Sequence, residues 1–565
     1  MEINNIENLY QQYIEHAQKI ADINYAAAVL DWDQETYMSP MGADTRARQT
    51  ATLRSLAHRF FTDEKYGNIL QQLLENKDAL SEKERQNVLL SKDDFDKQAK
   101  LPAEFVHALS RNISEAYQSW IEARRKNDFS FFEPALTKLV ALKRQEADYL
   151  GYEHHPYDAL LKDYEKSASV QMLDRLFSEM TNPLQNLMQQ AIAKRNTDDA
   201  FLYQYYPKDE QWKWGMYLVK ELGFDLNAGR QDISEHPFTT NFSSQDVRIT
   251  TRIDENNFAN MTWSCIHETG HALYEQGLPY SDYGLPSGEY ASLSIHESQS
   301  RFWENCIGRR LPFWKYYYPK LKEFFPQQLR DVSLETFSNA INIVKPSLIR
   351  TEADELTYHF HIKIRYELEK ELIGGSLAVK DVKEKWNELY KENLGVSATN
   401  DNDGCLQDVH WSHGSFGYFP TYSLGSFYAA QFWKKLKEDQ PDIEKEIAGG
   451  NLKNVLQWLR LHIHSKGRII GGSEKICKDI TGEALQVMHF LIISKKHILN
   501  LKIKNYFCEM GILRQISEYL FIKKRNKKEK PSTYLKMMHG MNRISIFVFL
   551  LALLFMLIRW LKHVL

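Results

Sequence analysis

The stretch Ile266-His-Glu-Thr-Gly-His-Ala-Leu-Tyr-Glu-Gln-Gly277 constrains this chain more than any other. On a helix, His267 and His271 lie one above the other on one face, close enough for both imidazoles to hold one metal ion. Glu268 is then a neighbour of that ion, placed to take a proton from the attacking water, as the H-E-x-x-H pattern of zinc peptidases requires. Gly277 reads as the residue that closes the helix. The pattern by itself is also compatible with a buried helix carrying two hydrogen-bonded histidines.

Catalytic zinc takes three protein ligands and leaves the fourth position to water. Glu275 continues the same face, but a further turn along a straight helix is too far from an ion between the two histidines, so it reads as a neighbour of the site or a surface residue. The next helical segment, residues 292–305, offers Glu297 after the connection Gly284-Leu-Pro-Ser-Gly288. A returning helix would bring Glu297 to the ion and complete a His/His/Glu set. His296 competes for that place, but it points about a third of a turn away from Glu297.

The net charge of −3 hides a split. Residues 486–565 carry 15 basic against 3 acidic side chains, a net +12, which leaves −15 on the rest. An acidic body argues against nucleic-acid binding, and the basic tail looks like an addition to it. Cys265, Cys306, Cys405, Cys477 and Cys508 are scattered and form no C-x-x-C pair, which suits a reducing compartment. No basic segment followed by an apolar run opens the chain, and the expected location is the cytoplasm.

From Asn4 to about Gln190, apolar residues recur at helical spacing. Ile6, Leu9, Tyr10, Tyr13 and Ile14 form one stripe; Met172, Leu173, Leu176, Phe177 and Met180 form another. Residues 30–43 read as a structured turn in which Asp31 and Asp33 serve as caps. The charged run from Asn76 to Asp96 reads as a solvated helical hairpin. Between Ser244 and Asp254, β-branched residues alternate with Arg248 and Arg252, a strand signal whose edge could pair with an extended peptide. Residues 349–364 read as one helix opened by Arg350, a candidate receptor for a terminal carboxylate or an ordinary ion-pair partner. His359 and His361, two apart, point to different faces. Residues 404–425, rich in Gly, His and aromatics, read as a loop for substrate contacts, with His410 and Tyr422 as oxyanion donors; His410 with His413 would be a second metal site.

Taken together, Leu30-Asp-Trp-Asp33, His236-Pro-Phe238, Asp246-Val-Arg-Ile-Thr250, His267-Glu-Thr-Gly-His271, His296-Glu-Ser-Gln299, Ile349-Arg-Thr-Glu-Ala-Asp354 and Gly404-Cys-Leu-Gln-Asp-Val-His-Trp411 resemble the motifs of the carboxypeptidase Taq family of metallocarboxypeptidases. The resemblance covers roughly the first 485 residues. It implies a mainly α fold, a large helical body with a long substrate groove and a small β element beside the H-E-x-x-H helix. It also implies a homodimer that removes single amino acids from peptide C-termini with broad specificity and poor action on proline, using zinc with cobalt as a substitute. Carried over by position, His267, His271 and Glu297 are the ligands and Glu268 the general base. Arg350 matches the arginine taken to hold the substrate carboxylate. Arg248, His236, His410 and Tyr422 match positions linked to substrate binding or catalysis. Readings from other classes are an endopeptidase or aminopeptidase with the same ligands, and an inactive helical peptide-binding protein.

The expected organisation is a catalytic domain, 1–485, followed by a tail, 486–565, that departs from the family. The tail ends in the 15-residue apolar run Ile544–Ile558, shorter than the roughly 20 residues a helix needs to span a bilayer. It reads as the product of a shifted frame or a fusion in preference to a membrane anchor.

Overall fold

The computed structural model describes residues 3–194 and 197–499. The helical periodicity of the N-terminal part is realised as α1 (Ile3–Thr36), α2 (Ala43–Phe61), α3 (Glu64–Glu75), α4 (Glu82–Ala99), α5 (Ala103–Lys126), α6 (Glu133–Leu150), α7 (Pro156–Leu161), α8 (Val170–Ala193) and α9 (Lys208–Glu221). Ile6 and Tyr13 of α1 are buried in a small core with Tyr66, Ile69, Leu70 and Leu73 of α3 and Val88 of α4. Leu173, Leu176, Phe177 and Met180 of α8 enter the main core, which also holds the H-E-x-x-H helix. Both stripes are therefore packing faces, as a spacing of three and four requires.

Three local expectations need correction. Residues 30–36 are the last turns of α1 and not a turn; Asp31 pairs with Arg54 at 2.5 Å and Asp33 with Arg46 at 2.6 Å, both on α2. The two aspartates therefore tie a helical hairpin together instead of capping it. The charged run from Asn76 to Asp96 is not a hairpin by itself: it supplies the connection after α3 and most of α4, a single helix that opens with a reciprocal Ser81/Glu84 capping box and pairs with α3, which precedes the run.

Next come β1 (Gly229–Ile233), β2 (Thr239–Ser243) and β3 (Asp246–Thr251), in the order β1-β3-β2, with β1 parallel and β2 antiparallel to β3. The segment expected to offer an edge is the central strand β3, paired on both sides. The edge beside the H-E-x-x-H helix belongs to β2.

The rest of the described chain is helical: α10 (Phe258–Glu275), α11 (Leu293–Arg301) running on into a π-helical segment (Phe302–Gly308), α12 (Leu311–Phe324), α13 (Leu334–Ala340), α14 (Tyr358–Gly374), α15 (Val382–Leu394), α16 (Pro420–Asp439), α17 (Ile443–Ala448), α18 (Lys453–His462), α19 (Ser473–Thr481) and α20 (Val487–Ile498). Residues 349–364 are not one helix. Arg350–Glu352 form a single 3-10 turn, and α14 starts only at Tyr358. The reason is Asp354, whose carboxylate accepts from the Leu356 and Thr357 amides and the Thr357 hydroxyl and so satisfies donors ahead of the helix. In the Gly-rich stretch, only 404–419 is irregular; Pro420 sits in the first turn of α16, which carries Tyr422.

The chain divides into two units, Met1–Leu501 and Lys502–Leu565. The second lies outside the described residues, together with the apolar run Ile544–Ile558 and Cys508. The other four cysteines are buried free thiols. Among the described residues no helix is long and apolar enough to cross a membrane. The first unit extends past the boundary expected at Leu485 because α20 buries Val487, Phe490 and Leu491 in the main core. α20 is also latched by polar groups, Ser494 Oγ donating to Glu355 at 2.7 Å and His497 Nδ1 lying 3.1 Å from the same carboxylate. Each buried apolar side chain is worth about 2 kcal/mol. A chain ending at Leu485 is therefore expected to melt several degrees below one ending at Leu501, or to be insoluble. Equal melting midpoints by calorimetry would contradict the structural role of α20.

Candidate metal centre and active site

α11 packs on the H-E-x-x-H helix, and α16 on α11, because two glycines let the chains approach closely. A Cβ on Gly270 of α10 would lie 2.6 Å from Ser300 Cα and 2.8 Å from the Gln299 carbonyl oxygen, so α11 packs directly on the α10 backbone. A Cβ on Gly425 of α16 would lie 2.5 Å from Glu297 Cγ, so α16 closes over the third candidate ligand. Gly277 was expected to cap α10. It lacks the left-handed conformation of such a cap, and α10 already ends at Glu275. Its missing side chain instead makes room for His464, which a Cβ would meet at 2.5 Å.

His267, His271 and Glu297 each offer a ligand atom, all within 4.8 Å of one another, and they are the one such group among the described residues. Glu297 Oε2 lies 3.7 Å from His267 Nε2 and 3.4 Å from His271 Nε2. Two ligand atoms on a tetrahedral ion with bonds of about 2.05 Å stand about 3.3 Å apart, so these distances fit a shared ion. The other ring nitrogens are engaged. His267 Nδ1 is 2.9 Å from Glu304 Oε2, and His271 Nδ1 is 3.0 Å from the His296 carbonyl oxygen. Both acceptors demand a proton on Nδ1, which leaves the Nε2 lone pairs for a metal.

The electrostatics agree. Burial and the adjacent His296 push His271 down to about 3, so its imidazole is neutral. Burial opposes charge on His267, yet Glu297 and the Glu304 hydrogen bond outweigh it and raise its pKa; the spot favours positive charge. Burial would raise Glu297, but Arg301 and His267 hold it well below the usual carboxylate range. Glu268, also buried, is raised by desolvation. Its Oε2 accepts from the Thr239 hydroxyl at 2.6 Å, which ties the carboxylate to strand β2.

Around the three candidate ligands lies a layer of charged groups that no motif marks in the sequence. Arg301 donates to Glu297 Oε1 at 2.7 Å and to Glu304 at 3.2 Å, and its guanidinium lies 4.4 Å from the centre of the Tyr358 ring. Arg309 donates to the other oxygen of Glu304 at 2.9 Å. Glu304 sits in the π-helical segment, the kind of local irregularity that re-aims side chains at functional sites. The signal was present as a carboxylate, guanidinium, carboxylate stripe at 297, 301 and 304, one face of a helix. His296 does not compete for the ion. Its ring stacks on His271 with centroids 4.5 Å apart, and its Nε2 lies 2.8 Å from Glu275, which is buried beside the site and not at the surface.

Arg350, buried, donates through Nε to Asp408 at 2.8 Å, and Arg365 donates to the other oxygen of Asp408 at 2.6 Å. The two arginines outweigh burial and hold Asp408 well below its ordinary range. Arg350 Nη1 makes a 3.5 Å contact with Tyr358 Oη, and the guanidinium lies against the Tyr422 ring at 5.1 Å. Its Nη2 makes no hydrogen bond among the described residues, so the guanidinium keeps donors that an anion could use. His410 Nε2 and Tyr422 Oη are 3.1 Å apart. Burial and Arg350 push His410 down to about 3, and burial raises the Tyr422 hydroxyl well above its ordinary value, so a neutral imidazole faces a protonated phenol. His413 instead faces Tyr117, with ring centroids 5.0 Å apart.

The two remaining candidates lie on the sheet side. Arg248 forks onto Asp246 and is layered between Trp32, at 4.3 Å, and Phe242, at 4.8 Å. His236 is exposed in the connection from β1 to β2, three residues before Thr239. His359 and His361 diverge as expected, toward Ser423 and Tyr390.

Comparison with known proteins gives a consistent picture. Residues 12–498 match the carboxypeptidase Taq (M32) metallopeptidase model, and residues 510–563 match a family of unknown function, DUF6728. Carboxypeptidase 1 of Bacillus subtilis is 39% identical over 494 residues, 87% of this chain and 97% of that protein. The solved structure of CHT is 53% identical with a TM-score of 0.86, covering 87% of this chain and 100% of that one. An M32 carboxypeptidase from Deinococcus radiodurans is 36% identical with a TM-score of 0.85, again covering 87% and 100%.

Proposed function

Because the chain belongs to the carboxypeptidase Taq (M32) metallopeptidases, we propose that it releases amino acids one at a time from the C-termini of peptides, with broad specificity and poor action on proline. The observation that carries this reading is the convergence of His267, His271 and Glu297 beside the Glu268 carboxylate. Two imidazole nitrogens and one carboxylate oxygen suit zinc, with cobalt as a workable substitute. The chemistry a divalent cation supplies in such a site is polarisation of the scissile carbonyl and acidification of the attacking water.

The chain's own residues do the rest. Glu268, oriented by Thr239, takes the proton of the attacking water and returns it to the leaving amine. Tyr422 and His410 donate to the oxyanion that forms at the scissile carbonyl. Arg350 meets the terminal carboxylate with its remaining donors, and Asp408 keeps the guanidinium in place. The edge of β2 pairs with the extended substrate backbone, with His236 and Arg248 contributing from the sheet side. The working form is read as a homodimer in the cytoplasm, in keeping with the free thiols.

For the tail, the match of 510–563 to a family of its own favours a fusion of two sequence families over a read-through in a shifted frame. Mass spectrometry of a model decapeptide during digestion tests the proposed activity. A ladder of products, each one residue shorter at the C-terminus, is expected; internal cuts would point to an endopeptidase, and losses from the N-terminus to an aminopeptidase.

A further inference from the structure

We propose that Glu369, on α14, is a positioning residue for the reaction that acts by holding the turn on which His410 is mounted; the inference rests on the reading of His410 and Tyr422 as donors to the oxyanion. Glu369 is fully buried, and among the described residues no cation lies within ion-pair distance of it, Arg365 acting only from further off. Its two oxygens instead collect three neutral donors, one from α7 and two from the turn that follows His410. Oε1 accepts from Trp411 Nε1 at 2.8 Å, and Oε2 accepts from Tyr157 Oη at 2.5 Å and from the Gly417 amide at 2.9 Å.

Trp411 and Gly417 bracket the functional turn. Trp411 follows His410 directly, and Gly417 stands two residues before Phe419, whose ring lies 4.3 Å from that of His410. Between them the turn closes on itself, the Ser415 amide donating to the His410 carbonyl at 2.9 Å. Gly417 has a φ of +100°, and a Cβ there would meet the Leu160 carbonyl oxygen at 2.8 Å, so α7 supports the turn from below while its Tyr157 shares the same carboxylate.

The residue type matters. A buried carboxylate without a cation is expensive, and burial pushes this one up to about 7 despite its three donors. Packing alone would be served by a neutral side chain. Only a carboxylate presents acceptors on both ends to three converging N–H and O–H groups; a glutamine would turn its own NH2 toward one of them. Both ends of the turn are thus fixed by one rigid group, and the His410 imidazole is set against Tyr422 before substrate arrives.

A double-mutant cycle on the metal-loaded full chain tests this, with kcat and KM on an N-blocked dipeptide, metal content and melting midpoint recorded for each protein. Glu369→Gln is expected to lower kcat about tenfold or more while KM stays within about twofold and metal content is unchanged. In a His410→Ala background the same substitution should add almost nothing, because its effect runs through the missing imidazole. Equal losses in both backgrounds would overturn the proposal and leave Glu369 a purely structural residue. If Glu369→Gln does not fold, Tyr157→Phe, which deletes one hydroxyl, carries the same cycle with the same two outcomes. A His410→Ala enzyme with unaltered kcat would remove the donor reading, and the proposal with it, which is distinguishable from a costly His410→Ala that combines additively with Glu369→Gln.

Discussion

Replacing Glu268 by Gln will reduce kcat by about three to four orders of magnitude and leave the bound metal in place. The substitution keeps the shape of the side chain, and an amide oxygen can still accept the Thr239 hydroxyl that orients Glu268 now. None of the three ligand atoms belongs to it, and the Nδ1 hydrogen bonds of His267 and His271 go to Glu304 and to a backbone carbonyl. What is lost is basicity beside the candidate ligands, so proton transfer is expected to fail while metal content holds. Elemental analysis beside kcat measurement on the same sample separates the two effects. Undiminished hydrolysis by a metal-loaded Glu268→Gln enzyme would remove Glu268 from the role of base.

The second large effect is expected at Arg350. Its Nε is taken by Asp408 and its Nη2 has no partner among the described residues, so Arg350→Ala should raise KM for peptides with a free C-terminus by about tenfold to a hundredfold, the worth of a charge-assisted hydrogen bond. The truncation also leaves Asp408 with Arg365 alone, so part of any loss would come from the disturbed pair. Arg350→Lys is the control. A lysine retains a cation beside Asp408 but cannot form a planar fork, and it should recover stability before it recovers KM. An unchanged KM in a folded Arg350→Ala enzyme would exclude Arg350 as the carboxylate receptor.

How far the sequence carried this reading differs from element to element. The spacing of His267 and His271, and Glu297 on a returning helix, were legible because they depend on helical geometry and one connection, both local. The helical stripes of α1 and α8 were legible for the same reason. Arg350 was placed on the wrong element because an Asp354 carboxylate satisfies amides that would otherwise start the helix earlier, a choice that depends on side-chain direction. The strand at 246–251 was recognised, but its central place in the sheet depends on two partners, one of them starting 17 residues upstream at Gly229. Gly277 was misread because its reason is His464, brought there by the fold. Glu304 and Arg301 were overlooked although they share a helical face with Glu297, and the π-helical segment that aims Glu304 leaves no signature in periodicity. Asp408, which links Arg350 to Arg365, is a long-range meeting that no local pattern announces.

The claim that matters most is that this site recognises a free C-terminal carboxylate. The measurement that tests it most directly is the release of free amino acid from an N-blocked dipeptide, compared with cleavage of its C-terminal amide, by the metal-loaded full chain. Cleavage of the acid with little or none of the amide is the predicted result. Equal cleavage of both would contradict the assignment of Arg350 and of the exopeptidase activity together.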